Sequence, residues 1–276
     1  MFRVEKVSVN GRIFAPADAK ISAVDKGLMH GIGAFETFRV FAGKTFLLDK
    51  HFARLNKSLR QLNIIMPNTQ NEYKKWVREL CLNMPKNKDA RVRFLVTSGV
   101  QNRPNVIIYL SYLDKFKPTG ENARILKSIF RHKPEYFAKT GFRIKSPSYL
   151  SAEMAQSELA PGTYGILLNP DGFVAEGLTA NIFWAKNGKL YTPPLKLGIL
   201  AGTIRGWIMQ NFKVSEKLAK AGELLKADEI ILSSGVRYVT ALDKINAIKK
   251  PGINGPVFKE LFAQLKKDID NLSKVL

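Results

Sequence analysis

The stretch Asp171–Arg205, DGFVAEGLTANIFWAKNGKLYTPPLKLGILAGTIR, limits this chain most, because strand, turn and helix signals follow one another in it without a gap. Asn169-Pro170-Asp171-Gly172 lies between two apolar runs, and Asn187-Gly188 lies between two more. Each pattern predicts a β-hairpin. Ile199–Arg205 then opens a helical pattern with Trp207, Ile208 and Phe212 on its apolar side. Gly202 at that helix start lets a ligand approach the backbone closely. The free N–H groups of that first turn form an anion site suited to a phosphate. Glu176 closes an apolar strand, and alone it reads as a carboxylate at a strand end facing water or aimed at a cation. Strands and helices recur along the whole chain, which predicts a mixed α/β (α+β) protein.

The length of 276 residues allows one large domain or two smaller ones. Residues 115–122 are charged, contain Pro118 and Gly120, and read as a linker. The expected domains are therefore 1–117 and 123–276. No signal-peptide or membrane-length apolar run is present, and Cys81 is the sole cysteine, so a cytoplasmic protein without an intramolecular disulfide is expected. The net charge is +21, but no run of Lys and Arg exceeds two residues and aromatic-plus-basic motifs are absent. A solvated basic surface is expected, with neither nucleic acid nor membrane as partner. That surface would favour the approach of anionic ligands. No zinc-type ligand cluster or P-loop is found, so no metal is expected.

Near the N-terminus, Asn10-Gly11 separates two strands. Gly31-x-Gly33 is too sparse for a dinucleotide fingerprint. Alternation after Ala34 puts Phe35, Thr37 and Arg39 on one strand face and Glu36 and Phe38 on the other. Phe52, Leu55, Leu59 and Leu62 have helical spacing, and Arg54 falls off that stripe as an ordinary exposed arginine. Residues 69–84 predict a helix with Trp76, Leu80 and Cys81 inward. Strands are expected over Arg91–Thr97 and Asn105–Tyr112, with Arg103 in the turn Ser98–Pro104. The final helix, about Gly255–Leu272, is expected to bury Val257, Leu261 and Leu265.

Several separated motifs occur in a set order. They are G-x-G-x-F-E-T-x-R from Gly31, H-x-x-R-L from His51, K-x-x-x-Y from Lys145, E-G-x-x-x-N from Glu176, and G-I-L-x-G-x-x-R from Gly198. Together they resemble the class IV aminotransferase-like enzymes, pyridoxal-phosphate (PLP) proteins of fold type IV, over nearly the whole chain. The resemblance implies two α/β domains with PLP in the cleft between them, and a homodimer whose partner subunit closes the site. It implies that Lys145 forms the Schiff base and that Glu176 pairs with the pyridine nitrogen. Arg54, with the amides of Thr203 and Ile204, would hold the phosphate. Tyr149 would hydrogen-bond near the cofactor O3′ or the Schiff base, and Thr179 and Asn181 would support the Glu176 loop. Ser234 and Gly235 are further, loosely matched phosphate donors. Phe35, Thr37 and Arg39 would line the substrate pocket, and Arg103 matches a loop arginine that traps a carboxylate in D-amino-acid aminotransferases. A histidine two positions later in that branch is replaced here by Asn105. F-E-T-F-R with Thr37, together with F-L-L-D-x-H-x-x-R-L, resembles the 4-amino-4-deoxychorismate lyases of folate biosynthesis, which release 4-aminobenzoate and pyruvate from a small anionic amino-substrate. A branched-chain or D-amino-acid aminotransferase is the alternative.

Overall fold

A computed structural model describes residues 3–272, and the chain divides into two compact units. Among the described residues, the first comprises 3–116, 144–148 and 269–272, and the second comprises Lys117–Arg143 and Tyr149–Asp268. Composition placed a linker at 115–122 but gave no sign that Ile144–Ser148 returns to the first unit. A backbone bond anchors it there, with the Phe35 N–H donating to the Lys145 carbonyl at 2.9 Å.

In the first unit, β1 (Lys6–Val9), β2 (Arg12–Phe14), β3 (Gly33–Val40), β4 (Lys88–Val100) and β5 (Arg103–Asp114) form an antiparallel sheet ordered β2-β1-β5-β4-β3. Helices α1 (Lys26–His30), α2 (Leu48–Gln61) and α3 (Gln70–Leu80) complete the unit. Successive strand residues face opposite ways, so one sheet face carries Ala34, Phe38, Val92, Phe94, Ile108 and Leu110 into a core with Phe52, Leu55, Leu59, Tyr73 and Val77 of α2 and α3. Thr69 and Glu72 form a reciprocal capping box that starts α3. The β4–β5 hairpin is longer than alternation alone predicts. Its turn is only Gln101-Asn102, both with positive φ (52° and 59°), in place of the expected Ser98–Pro104. A register shift between Thr97 and Val100 lets the strands continue past the irregular Ser98-Gly99.

The second unit has one mixed sheet. Its strands are β6 (Gly120–Phe130), β7 (Thr163–Leu168), β8 (Val174–Gly177), β9 (Asn181–Lys186), β10 (Lys189–Thr192), β11 (Val214–Glu216), β12 (Glu229–Ser234), β13 (Tyr238–Ile245) and β14 (Ile248–Lys249). They are ordered β11-β10-β9-β12-β13-β6-β7-β8, with β14 beside β13. β6 runs parallel to both β7 and β13. The two hairpins expected from the turn signals are β7–β8 and β9–β10. The helices are α4 (Phe137–Thr140), α5 (Leu150–Ser157), α6 (Thr203–Asn211), α7 (Ala221–Leu225) and α8 (Pro256–Asp270). The buried stripe of α8 is Phe258, Leu261 and Leu265, with Phe258 in the place expected for Val257. The Glu229 carboxylate explains this rotation, because it accepts the Val257 and Phe258 N–H groups at 2.9 Å each and fixes the first turn. Among the described residues, no helix is long and apolar enough to cross a membrane.

Candidate active site

In the first unit the faces of β3 divide as the alternation predicts. Glu36 points to the helical side and meets α2, where Arg54 Nε donates to Oε1 and Nη2 to Oε2, both at 2.7 Å. His51 Nδ1 lies 2.7 Å from Oε2. Burial raises the Glu36 pKa, but the Arg54 charge and hydrogen bonds from Arg54 and His51 outweigh it and bring it down to about 2. Burial lowers the His51 pKa further than Glu36 restores it, so the imidazole is neutral at pH 7. An ionised carboxylate only accepts, so His51 must carry its proton on Nδ1. Arg54, read from periodicity as exposed, is therefore held in a fixed plane by the buried Glu36.

The opposite face of β3 carries Phe35, Thr37 and Arg39. Lys145 Nζ lies 4.5 Å from the centre of the Phe35 ring, and the Arg93 guanidinium lies 4.0 Å from it. Arg93 is also the cross-strand partner of Thr37. Lys145, Phe35 and Thr37 thus share one corner of the unit. Arg39 is buried against Asp89, with Nε donating to Oδ2 at 2.9 Å, and it also donates to the Asp114 carbonyl. Its guanidinium lies against the Phe41 and Phe116 rings. These contacts make Arg39 part of the packing. Arg103 is exposed at the start of β5. Asn105 donates to Asp25, which also accepts from Thr97, both at 2.7 Å.

In the second unit Glu176 is buried at the end of β8. Its Oε1 accepts from Arg143 Nη1 at 2.9 Å and lies 2.9 Å from Arg131 Nε. Its Oε2 accepts the Leu200 N–H at 3.1 Å. Asn181 donates to the Leu200 carbonyl at 2.8 Å, tying the Glu176 loop to the turn before α6. Gly202 is the N-cap of that helix, and a Cβ there would lie 2.0 Å from Asn181 Oδ1. The glycine is thus demanded by a side chain of this protein as well as by any ligand. Thr203 and Ile204 form the first turn of α6. Across the sheet from Asn181 stands Ser233, 2% exposed, whose hydroxyl has no hydrogen-bond partner. Its neighbour Ser234 instead accepts the Arg237 N–H at 3.3 Å in the turn that contains Gly235. Thr179 is exposed, and both its N–H and its hydroxyl meet the Tyr164 hydroxyl, at 2.8 and 2.7 Å. Tyr149 caps the start of α5.

Arg131 and Arg143 escaped the sequence reading. Arg143 carried a signal, since Phe142 and Ile144 are buried and alternate with Arg143 and Lys145. Arg131 had none, because its role depends on where β6 ends. Among the described residues, no group of three His, Cys, Asp or Glu side chains is placed to hold a metal.

The sequence model of the amino-transferase class IV family matches residues 33–245. The chain belongs to that family and is a PLP-dependent enzyme. It is 34% identical to an aminodeoxychorismate lyase of Bacillus subtilis, over 96% of this chain and 95% of the relative. It superposes on a branched-chain aminotransferase of Thermoproteus uzoniensis with a TM-score of 0.81 and 26% identity, covering 96% and 94% of the two chains. An aminotransferase of Brucella abortus solved with PLP gives a TM-score of 0.85 at 20% identity, covering 96% and 99%, and shares the fold. The residues of this chain fit such a cofactor. They are of the kinds such a cofactor takes: the first unit has a lysine amine on an aromatic ring, and the second has a buried carboxylate, a helix start and a buried hydroxyl without a partner.

Proposed function

We propose that this enzyme is a 4-amino-4-deoxychorismate lyase acting without a second substrate. The observation that carries this reading is the 34% identity to the B. subtilis lyase along essentially the full length of both chains. Thr37, on the strand face beside Phe35 and Lys145, supports it.

PLP, bound, supplies an electron sink for bond breaking at the amine-bearing carbon. In this reading Lys145 would hold the cofactor through its amine and would take the proton from that carbon. Glu176 would pair with the ring nitrogen. Arg54, oriented by Glu36, holds the phosphate with the amides of Thr203 and Ile204, and Ser233 adds a hydroxyl beyond the expected Ser234 and Gly235. Tyr149 would hydrogen-bond near the cofactor O3′ or the Schiff base, and Thr179 would steady the Glu176 loop through Tyr164. The Thr37 hydroxyl positions the departing enolpyruvyl group. Loss of the proton and of the ether C–O bond makes the ring aromatic, and the released enol takes up a proton to become pyruvate. Arg103 is the remaining candidate for a substrate carboxylate, since Arg39 is committed to Asp89. The working form in this reading is a cytoplasmic homodimer.

The test omits any keto acid. Aminodeoxychorismate alone should give 4-aminobenzoate and an equal amount of pyruvate, followed with a coupled dehydrogenase. No pyruvate, together with acceptor-dependent turnover of leucine or D-alanine, would make the enzyme an aminotransferase.

A further inference from the structure

A carboxylate that serves a ring nitrogen is expected to have its charge free for that ring, and Glu176 already has two guanidiniums beside it. An ionised carboxylate has about four acceptor positions. Two groups lie against Oε1, Arg143 Nη1 and Arg131 Nε, each at 2.9 Å. Two lie against Oε2, the Leu200 N–H at 3.1 Å and Asn181 Nδ2 at 3.5 Å. The Asn181 contact is the long one, because that amide also donates to the Leu200 carbonyl at 2.8 Å. A further donor could displace Asn181 at little cost, but it would still meet a carboxylate whose charge two guanidiniums share.

The two arginines act differently. Arg143 Nη1 donates both to Oε1 and to the Gly198 carbonyl, the latter at 3.2 Å, so that one nitrogen bridges the carboxylate and the backbone. Arg131 Nε is buried and close to Oε1 but is not aimed along a hydrogen bond, so it contributes charge alone. Tyr164 of β7 also faces this group. Burial pushes its pKa up to about 12, so it is neutral there.

We propose that Arg143, backed by Arg131, shares the Glu176 carboxylate with the ring nitrogen of PLP and so limits how tightly that nitrogen holds its proton, on the reading that Glu176 faces it. Both cations stabilise the carboxylate anion and repel a protonated ring, and each effect weakens the ring's hold on a proton. A ring that withdraws less charge favours expulsion of a leaving group over storage of that charge, so Arg143 is a positioning residue that biases the enzyme towards elimination.

The experiment loads the full chain with PLP labelled with ¹⁵N in the ring and follows nitrogen protonation by NMR as pH is varied. Arg143→Gln should move the midpoint up by roughly one pH unit, the scale of losing one close opposite charge from a carboxylate. Arg143→Lys, which keeps a charge, should move it less, and Glu176→Gln should move it down. A midpoint unmoved by Arg143→Gln but moved by Glu176→Gln overturns the sharing and leaves Glu176 at the nitrogen. A midpoint unmoved by Glu176→Gln removes Glu176 from the nitrogen and the sharing with it. Should Arg143→Gln fail to fold, Arg131→Met is read in the same way, with an upward shift expected and no shift overturning the proposal.

Discussion

Lys145→Ala is expected to lower turnover by roughly 10²–10⁴-fold, the range lost when a positioned proton-transfer group is removed. On the proposed reading the loss would combine two tasks, covalent attachment of the cofactor and proton transfer at the substrate carbon. The fold should survive, because the link that ties this segment to β3 is the Lys145 backbone carbonyl, which accepts the Phe35 N–H at 2.9 Å. The variant should therefore melt near the parent temperature, release PLP on dialysis and regain part of its rate when a small primary amine is added. Turnover within a few-fold of the parent would show that another group does the chemistry.

The second large effect concerns stability in acid. The Glu36 pKa falls from an ordinary 4.5 to about 2 in the folded chain. A carboxylate with a depressed folded value stabilises the protein fully above its unfolded value and loses that stabilisation as pH drops towards the folded one. This contribution is therefore complete above about pH 4.5 and disappears between there and about 2; the gap corresponds to about 3 kcal/mol. His51 acts in the same direction but starts earlier. Its folded value lies below 6.5, so stability begins to fall once the unfolded imidazole charges, near pH 6.5. Chemical unfolding across this range should show two successive losses. Glu36→Ala leaves Arg54 and His51 buried without their carboxylate and should cost about 3–5 kcal/mol at neutral pH. It should also flatten the lower acid limb. A variant as stable as the parent, with that limb intact, would contradict the pairing.

Local chemistry made much of this legible in the sequence. Turn dipeptides such as Asn187-Gly188 fix hairpins through backbone conformation alone, with φ of 50° and 71°. The 3.6-residue repeat through Phe52, Leu55 and Leu59 reflects a helix with one buried face. What stayed hidden depends on residues distant in the chain. Arg54 looks exposed until Glu36 is placed across from it, and Arg39 looks available until β4 brings Asp89 beside it. Arg131 and Arg143 converge on Glu176 only through the strand order of the second sheet. Ile144–Ser148 returns to the first unit, with Ile144 in its core and the Lys145 carbonyl bonded to β3, and no composition shift announces it. Charged residues are the ones most often misjudged, because a charge buried with a partner and a charge left in water have the same periodicity.

The central claim is that Lys145 carries the cofactor, and borohydride reduction of the PLP-loaded protein tests it most directly. Reduction fixes the lysine–cofactor link, and peptide mapping then locates it. A single pyridoxyl adduct is expected on Lys145, in the peptide that also contains Tyr149. An adduct on any other lysine, or none on a protein that retains PLP and turns over, would contradict the account.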